Sequence, residues 1–153
     1  MDGKKLHKMA QVFYRMARSP GKAAGLLLVE PKSGTIFLTR RSKKVDAPGT
    51  WSVVGGGINH GESALEAAKR ETVEEAGSLP EILDILKSSL FKDGDFTYET
   101  FVCKVSPKTK HDWKPRLNPE NDKFGWFKLD NLPDSLHPGL KYTLKELKGK
   151  NGQ

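Results

Sequence analysis

Along the chain the hydrophobic positions change period several times, and each change predicts an element. In LHKMAQVFYRMAR, Leu6, Met9, Val12, Phe13 and Met16 recur at helical spacing with basic residues between them, which predicts a basic amphipathic helix over residues 1–19. Pro20-Gly21 ends it. AAGLLLVE reads as a buried strand, PKSG as a turn, and TIFLTR as a strand pairing back. A loop, SKKVDAPGTWSVV, leads into Gly55-Gly56-Gly57, and a helical pattern runs from Gly61-Glu62 to a stop at Gly77. ILDILKSSLF and FTYETFVCKV flank KDGD as a hairpin, and a polar, basic loop from Ser106 to Asn118 precedes a short strand, KFGWFKL. After Pro138, Leu140, Leu144 and Leu147 return to helical spacing and predict a helix that closes the fold against the sheet. Strands interspersed with helices imply an α/β (α+β) fold with a mixed sheet covered on both faces. The expected organisation is the helix of residues 1–19 followed by one domain over 20–153.

Composition narrows the partners. With 36% hydrophobic and 29% charged residues, the 153-residue chain reads as globular rather than disordered or fibrous. No run approaches the roughly 18 apolar residues of a membrane span, so no membrane partner is expected. Cys103 is the only cysteine, which excludes an internal disulfide framework and a cysteine zinc cluster and fits a reducing, cytoplasmic setting. The basic N-terminal segment lacks the continuous apolar stretch of a secretory signal, so packing on the domain or on a partner, a second copy included, is the expected role. A net charge of +7 favours anionic partners, nucleotide or nucleic acid, without choosing between them.

The candidate chemistry lies in RETVEEAG, Arg70 to Gly77. On a helix Glu71/Glu74 and Glu71/Glu75 are i,i+3 and i,i+4 neighbours, a like-charge arrangement costing a few tenths of a kcal/mol per pair. Advancing about 100° per residue, the three glutamates share one arc. Leu65, Ala68, Thr72 and Ala76 fall on the adjoining arc, which can face the core, so the acidic arc is expected to border the packed face. There, partly desolvated, repelling carboxylates call for a counter-ion, and hard oxygen donors suit Mg²⁺ or Mn²⁺. A solvated acidic face is the alternative. The glycine run before the helix permits close backbone approach and presents a carbonyl or N–H to a ligand.

The spacing of these parts resembles the signature of the Nudix hydrolases, G-x5-E-x7-R-E-U-x-E-E-x-G-U, with U a bulky aliphatic residue. Gly56, Glu62, Arg70, Glu71, Glu74, Glu75 and Gly77 match, while Thr72 and Ser78 replace the aliphatics, and Leu79 is expected to fill the space beside Ser78. The match spans 23 residues, and KAAGLLLVE, GTWSVVGGG and WFKLDNLP extend the likeness over most of the chain. The resemblance implies an α/β/α sandwich and Mg²⁺- or Mn²⁺-dependent hydrolysis of a diphosphate linkage. It also implies roles: Glu74 and Glu75 as metal ligands, Glu71 as ligand or base near the attacking water, and Gly55 as the carbonyl donor. Glu62 and Arg70 then give structural support, the arginine pairing with the carboxylates.

An acidic residue from beyond the signature often joins such sites. Glu120 is the candidate catalytic base, with Asp122 behind it, and a solvated turn carboxylate is the equal alternative. Arg40 or Arg41 is a candidate phosphate contact, only one of the two facing the cleft because strand side chains alternate. In the basic loop Lys108, Lys110, His111, Lys114 and Arg116 could meet phosphate. Trp51, Tyr98, Phe101, Trp113 and Trp126 could stack on a base, although an aromatic in a strand is more often core. The expected substrate is a small nucleotide, a nucleoside diphosphate derivative such as ADP-ribose, a nucleotide sugar or a dinucleoside polyphosphate. The alternatives are a nucleoside triphosphate, an RNA 5′ end, and a binding module without catalysis. Intact carboxylates argue against the last.

Overall fold

A computed structural model of the protein describes residues 21–151. The helix expected over residues 1–19 lies outside the described residues. Among the described residues, seven strands and three helices follow in the order β1 (Lys22–Glu30), β2 (Thr35–Arg41), β3 (Trp51–Ser52), β4 (Val54–Gly57), α1 (Ala64–Ala76), β5 (Asp84–Asp93), β6 (Phe96–Lys104), α2 (Pro107–Asp112), β7 (Asn121–Lys128) and α3 (Pro138–Asn151).

The sheet is mixed, as the alternation of strands and helices predicts. Its main order is β3-β2-β1-β6-β5, with β4 added to β1 and β7 to β2. β1 runs parallel to β6 and antiparallel to β2 and β4. Strand β1 is buried on both faces, which explains why it reads as a continuous apolar run. Its alternate residues feed two cores. Ala24, Leu26 and Leu28 join Phe37, Val54, Ala68, Cys103 and Val105 on the face covered by α1. Ala23 and Leu27 join Ile36, Leu38, Val53, Phe91, Tyr98, Val102, Leu140 and Leu147 on the face covered by α3. The result is a three-layer α/β/α sandwich.

Three sequence expectations change. The stretch read as a loop before the helix contains β3 and β4, and the glycines lie in β4, where Gly55, Gly56 and Gly57 pair with Gly25, Ala24 and Ala23. The basic loop contains the short helix α2, capped by the Ser106 hydroxyl, which accepts the Thr109 N–H at 2.9 Å. Helix α1 begins at Ala64 rather than at Gly61-Glu62, because Ser63 caps it: its hydroxyl accepts the Glu66 N–H at 3.1 Å, and the Glu66 carboxylate accepts the Ser63 N–H at 3.0 Å. The predicted stop holds. Gly77 takes a left-handed φ of 86°, which favours glycine, and donates its N–H to the Val73 carbonyl.

Candidate active site

The site is built where β4 passes beneath α1. Helix α1 buries Ala67, Ala68, Glu71, Thr72, Glu75 and Ala76. The acidic arc therefore does not border the packed face, as its periodicity had implied, but divides. Glu71 and Glu75 lie inside, 1% and 5% exposed, and Glu74 lies outside. The reason is the layer beneath. Glycine at 56 leaves no Cβ, and the Glu71 carboxyl occupies that space.

Arg70 holds the cluster. Its Nε and Nη2 donate to the two carboxylate oxygens of Glu62 at 2.8 and 3.0 Å, Nη2 also to the Gly57 carbonyl at 2.8 Å, and Nη1 to Glu71 and Glu74 at 3.0 and 3.1 Å. One guanidinium thus ties the end of β4, the loop before α1 and two helical carboxylates, the pairing expected of Arg70 and Glu62. The hydrogen bond from Arg70 and one from the Asn59 N–H hold the Glu62 carboxyl below its ordinary range.

Glu75 is held differently. One carboxylate oxygen accepts the Gly55 N–H at 3.1 Å and the other accepts Asn121 Nδ2 at 3.1 Å. Burial, reinforced by the charges of Glu71 and Glu120, pushes its pKa up to about 8 despite these bonds. Gly55 therefore meets Glu75 through its N–H. On the opposite face of β4, the Tyr98 hydroxyl fills the space a Cβ at Gly55 or Gly25 would need. Tyr98 is 3% exposed and packed into the core on the α3 side, so it supports the glycine strand from below and is not placed to stack on a base.

Of the two arginines ending β2, Arg41 turns inward. It is buried, donates from Nε to the Asp46 carbonyl at 2.6 Å, and feels the opposing charge of Glu75; burial lowers its pKa. Arg40 pairs with Asp122 at 2.8 Å. Glu120 is half-buried and its charge reaches both Glu75 and Arg41, which brings it into the same cluster. Arg116 lies against the end of α1: its N–H donates to the Ala76 carbonyl at 2.7 Å, and its Cβ would meet a side chain at position 77. Lys110 is elsewhere. It reaches Ser33 Oγ at 3.1 Å, in the turn before β2, and lies over the ring of Trp126, which faces Phe37 about 13 Å along β2 from Arg41. Trp113 is occupied as well, edge-on to Phe37 and donating to Ser78 Oγ at 2.9 Å. That bond accounts for a serine where the signature has an aliphatic residue, while Leu79, expected to fill the gap, is exposed.

The sequence reading missed Asn121. It is 6% exposed, and besides contacting Glu75 its Oδ1 accepts the Thr39 hydroxyl at 3.1 Å. An acidic-residue search passes over an amide, and the only available signal was its place beside Glu120 ahead of the late strand.

The carboxylates and the Gly55 backbone are hard oxygen donors of the kind Mg²⁺ and Mn²⁺ take. The raised Glu75 pKa, with Glu71 and Glu120 both adding to it, marks a position where positive charge would be favourable. They fit the ion in kind, but they are not converged on it. Glu71 and Glu74 face Arg70, Glu75 faces Gly55 and Asn121, and among the described residues no three acidic, histidine or cysteine side chains close around one point.

Comparison with known proteins defines the class. The model of the NUDIX domain family matches residues 19–147, and the chain belongs to that family. It is 31% identical over 118 residues to a nucleoside triphosphate pyrophosphatase/Nudix hydrolase fusion protein of Bifidobacterium longum, covering 73% of this chain and 24% of that protein. An RNA pyrophosphohydrolase of Bradyrhizobium sp. is 32% identical over 127 residues, covering 75% of this chain and 66% of the relative. The chain thus spans less than two thirds of the length of either relative. Among solved structures, the Nudix hydrolase RenU of M. smegmatis superposes with a TM-score of 0.71 at 26% identity, covering 86% of this chain and 85% of that one.

Proposed function

We propose that this protein hydrolyses a diphosphate linkage in a nucleoside diphosphate derivative, with Mg²⁺ or Mn²⁺ as the resident ion. The observation that carries the reading is the burial of Glu71 and Glu75 beside an exposed Glu74, on one helix and against a glycine strand. Glu71 is paired with Arg70, but the hydrogen bonds to buried Glu75 come from two neutral donors, the Gly55 N–H and Asn121 Nδ2, while Glu71 and Glu120 oppose its charge, so added positive charge there is favourable. Glu71, Glu74 and Glu75, with the Gly55 carbonyl, would hold the ion. Held there, a divalent cation would supply charge neutralisation at phosphate oxygens and a lowered pKa for an attacking water.

The chain's own groups carry the rest. Glu120 is the base that takes the proton of the attacking water, its charge already coupled to Glu75. Arg41 and Arg116 are cations beside the cluster that can attract the phosphates, whereas Arg40 is committed to Asp122 at the surface. Arg70 keeps Glu71 and Glu74 from drifting to solvent.

One second reading is favoured by an observation. The net charge of +7 and the likeness to an RNA pyrophosphohydrolase support an RNA 5′-triphosphate end as the substrate. A panel of ADP-ribose, nucleotide sugars, dinucleoside polyphosphates, nucleoside triphosphates and 5′-triphosphorylated RNA, each with Mg²⁺ and with Mn²⁺, separates the two. Release of nucleoside monophosphate from the diphosphate derivatives supports the first reading. Pyrophosphate released from RNA alone, with a rate that falls steeply with salt, replaces it with the second. Full turnover in excess chelator overturns the metal requirement in both.

A further inference from the structure

The β2–β7 pairing breaks its register at one point. Arg40 faces Lys123 and Arg41 faces Asn121, so Asp122 is the extra residue of a bulge. A bulge re-aims the side chains around it, and such irregularities are common beside active sites. Here it leaves Asp122 on the surface with Arg40 and sends the Asn121 side chain inward.

Inside, both ends of the asparagine amide are engaged. The Thr39 hydroxyl, 1% exposed, donates to Oδ1, which directs Nδ2 at Glu75. The backbone around it is fixed too, with the Asn121 N–H on the Asn118 carbonyl and the Asn118 N–H on the Glu75 carbonyl. Glu75 consequently has each carboxylate oxygen engaged by a different N–H, one from β4 and one from β7. A carboxylate pinned at both oxygens cannot rotate about its last torsion. Loss of either donor frees it.

We propose that Asn121, locked by Thr39, is the positioning residue that sets the orientation of the Glu75 carboxylate for cation binding. The inference rests on the reading of Glu75 as a metal ligand. An amide suits the task because it donates without adding a further negative charge to the cluster, and a side chain that orients a ligand is expected to govern affinity without meeting substrate.

The test uses the full chain and two variants, Asn121→Ala and Thr39→Val. Mn²⁺ binding is followed by electron paramagnetic resonance with no nucleotide present, and kcat and KM are measured on the best substrate of the panel. Expected for Asn121→Ala is a loss of about 10- to 100-fold in Mn²⁺ affinity and a similar loss in kcat at fixed metal, with nucleotide KM changed less than about 3-fold. Thr39→Val keeps side-chain volume and removes only the hydroxyl, so it should move the same quantities in the same direction by a smaller factor. Parental Mn²⁺ affinity in both folded variants overturns the proposal. So does a loss in Asn121→Ala that Thr39→Val does not share, because the lock would then be irrelevant. If the parent itself binds no Mn²⁺ and turns over no nucleotide, the proposed function has failed, an outcome distinct from parental binding that the variants leave unchanged.

Discussion

The carboxyl group of Glu71 lies against the backbone of Gly56 so closely that a Cβ at position 56 would come within 2.5 Å of its Cδ and 2.7 Å of both oxygens. Glycine is required there to seat a buried acid between helix and strand, and no left-handed turn is involved. Gly56→Ala should therefore push Glu71 off β4. The expected cost is about 1–3 kcal/mol of stability, as for other overpacked sites. A shift of the carboxyl by about 1 Å should also lower turnover by up to about 100-fold. Thermal melts and single-substrate kinetics check both. A melting temperature and turnover equal to the parent's would mean that Glu71 has room the structure does not show.

The cations near the cluster are predicted to divide by position rather than by charge. Arg116 sits against the last turn of α1 and Arg41 ends β2 within reach of the Glu75 charge, whereas Lys110 is committed to Ser33 and Trp126 far along the strand. Arg41→Ala and Arg116→Ala should raise KM about 5-fold or more with kcat little changed, the pattern of lost uniform binding. Lys110→Ala should leave KM within about 2-fold and cost a little stability instead. Equal effects at all three positions would point to a diffuse attraction by the basic surface, and raising the ionic strength would then abolish them together.

What could be read in the sequence follows the range of the interactions. Helix α1 was legible because its acidic arc and its glycine stop are encoded within a few residues, although its start at the Ser63 cap was missed. So were β1 and β2, whose alternation feeds the two cores. The pairing of Gly55, Gly56 and Gly57 with β1 was not, since glycine-rich strands carry no local strand signal and owe their conformation to distant partners. The burial of Glu71 and Glu75 was half legible. Periodicity put them beside the core face, but only the missing Cβ of Gly56 and the N–H of Gly55 decide that they sit within it. Asn121 was hidden for the same reason, because a bulge set by β2, some 80 residues earlier, chooses it over Asp122.

His137 offers a pH reporter away from the carboxylates. Its Nδ1 accepts the Gly139 N–H at 3.0 Å, and burial with the nearby Arg41 charge pushes its pKa down to about 4 from 6.5. The folded state thus binds fewer protons than the unfolded state between these values, so this group's contribution is present above about pH 6.5 and is lost as pH falls toward 4. His137→Asn retains an acceptor for Gly139 and removes the titration. Melts between pH 4 and 7 should show a shallower acid limb in the variant. An unchanged limb would assign the acid sensitivity to other groups.

Glu75 has the opposite sign. Its folded pKa of about 8 lies above the ordinary 4.5, because burial and the charges of Glu71 and Glu120 disfavour ionisation. The metal-free folded state therefore binds more protons than the unfolded state between those values. The stability contributed by this group is full below about pH 4.5 and is lost as pH rises through 8. Glu75→Gln removes the titration while keeping volume. It also replaces two acceptors with one, leaving either the Gly55 N–H or Asn121 Nδ2 facing an amide, so absolute melting temperatures mix two effects and the slopes with pH do not. Between pH 6.5 and 8, above the range in which His137 responds, the metal-free parent should lose stability steadily and the variant should stay level. Added Mg²⁺ at about 100 times its Kd should stabilise the parent by about 2.7 kcal/mol and so offset that loss. The variant should gain much less and turn over substrate slowly. Parallel slopes in parent and variant, with equal gains from Mg²⁺, would show that Glu75 is neither strained by its neighbours nor a ligand.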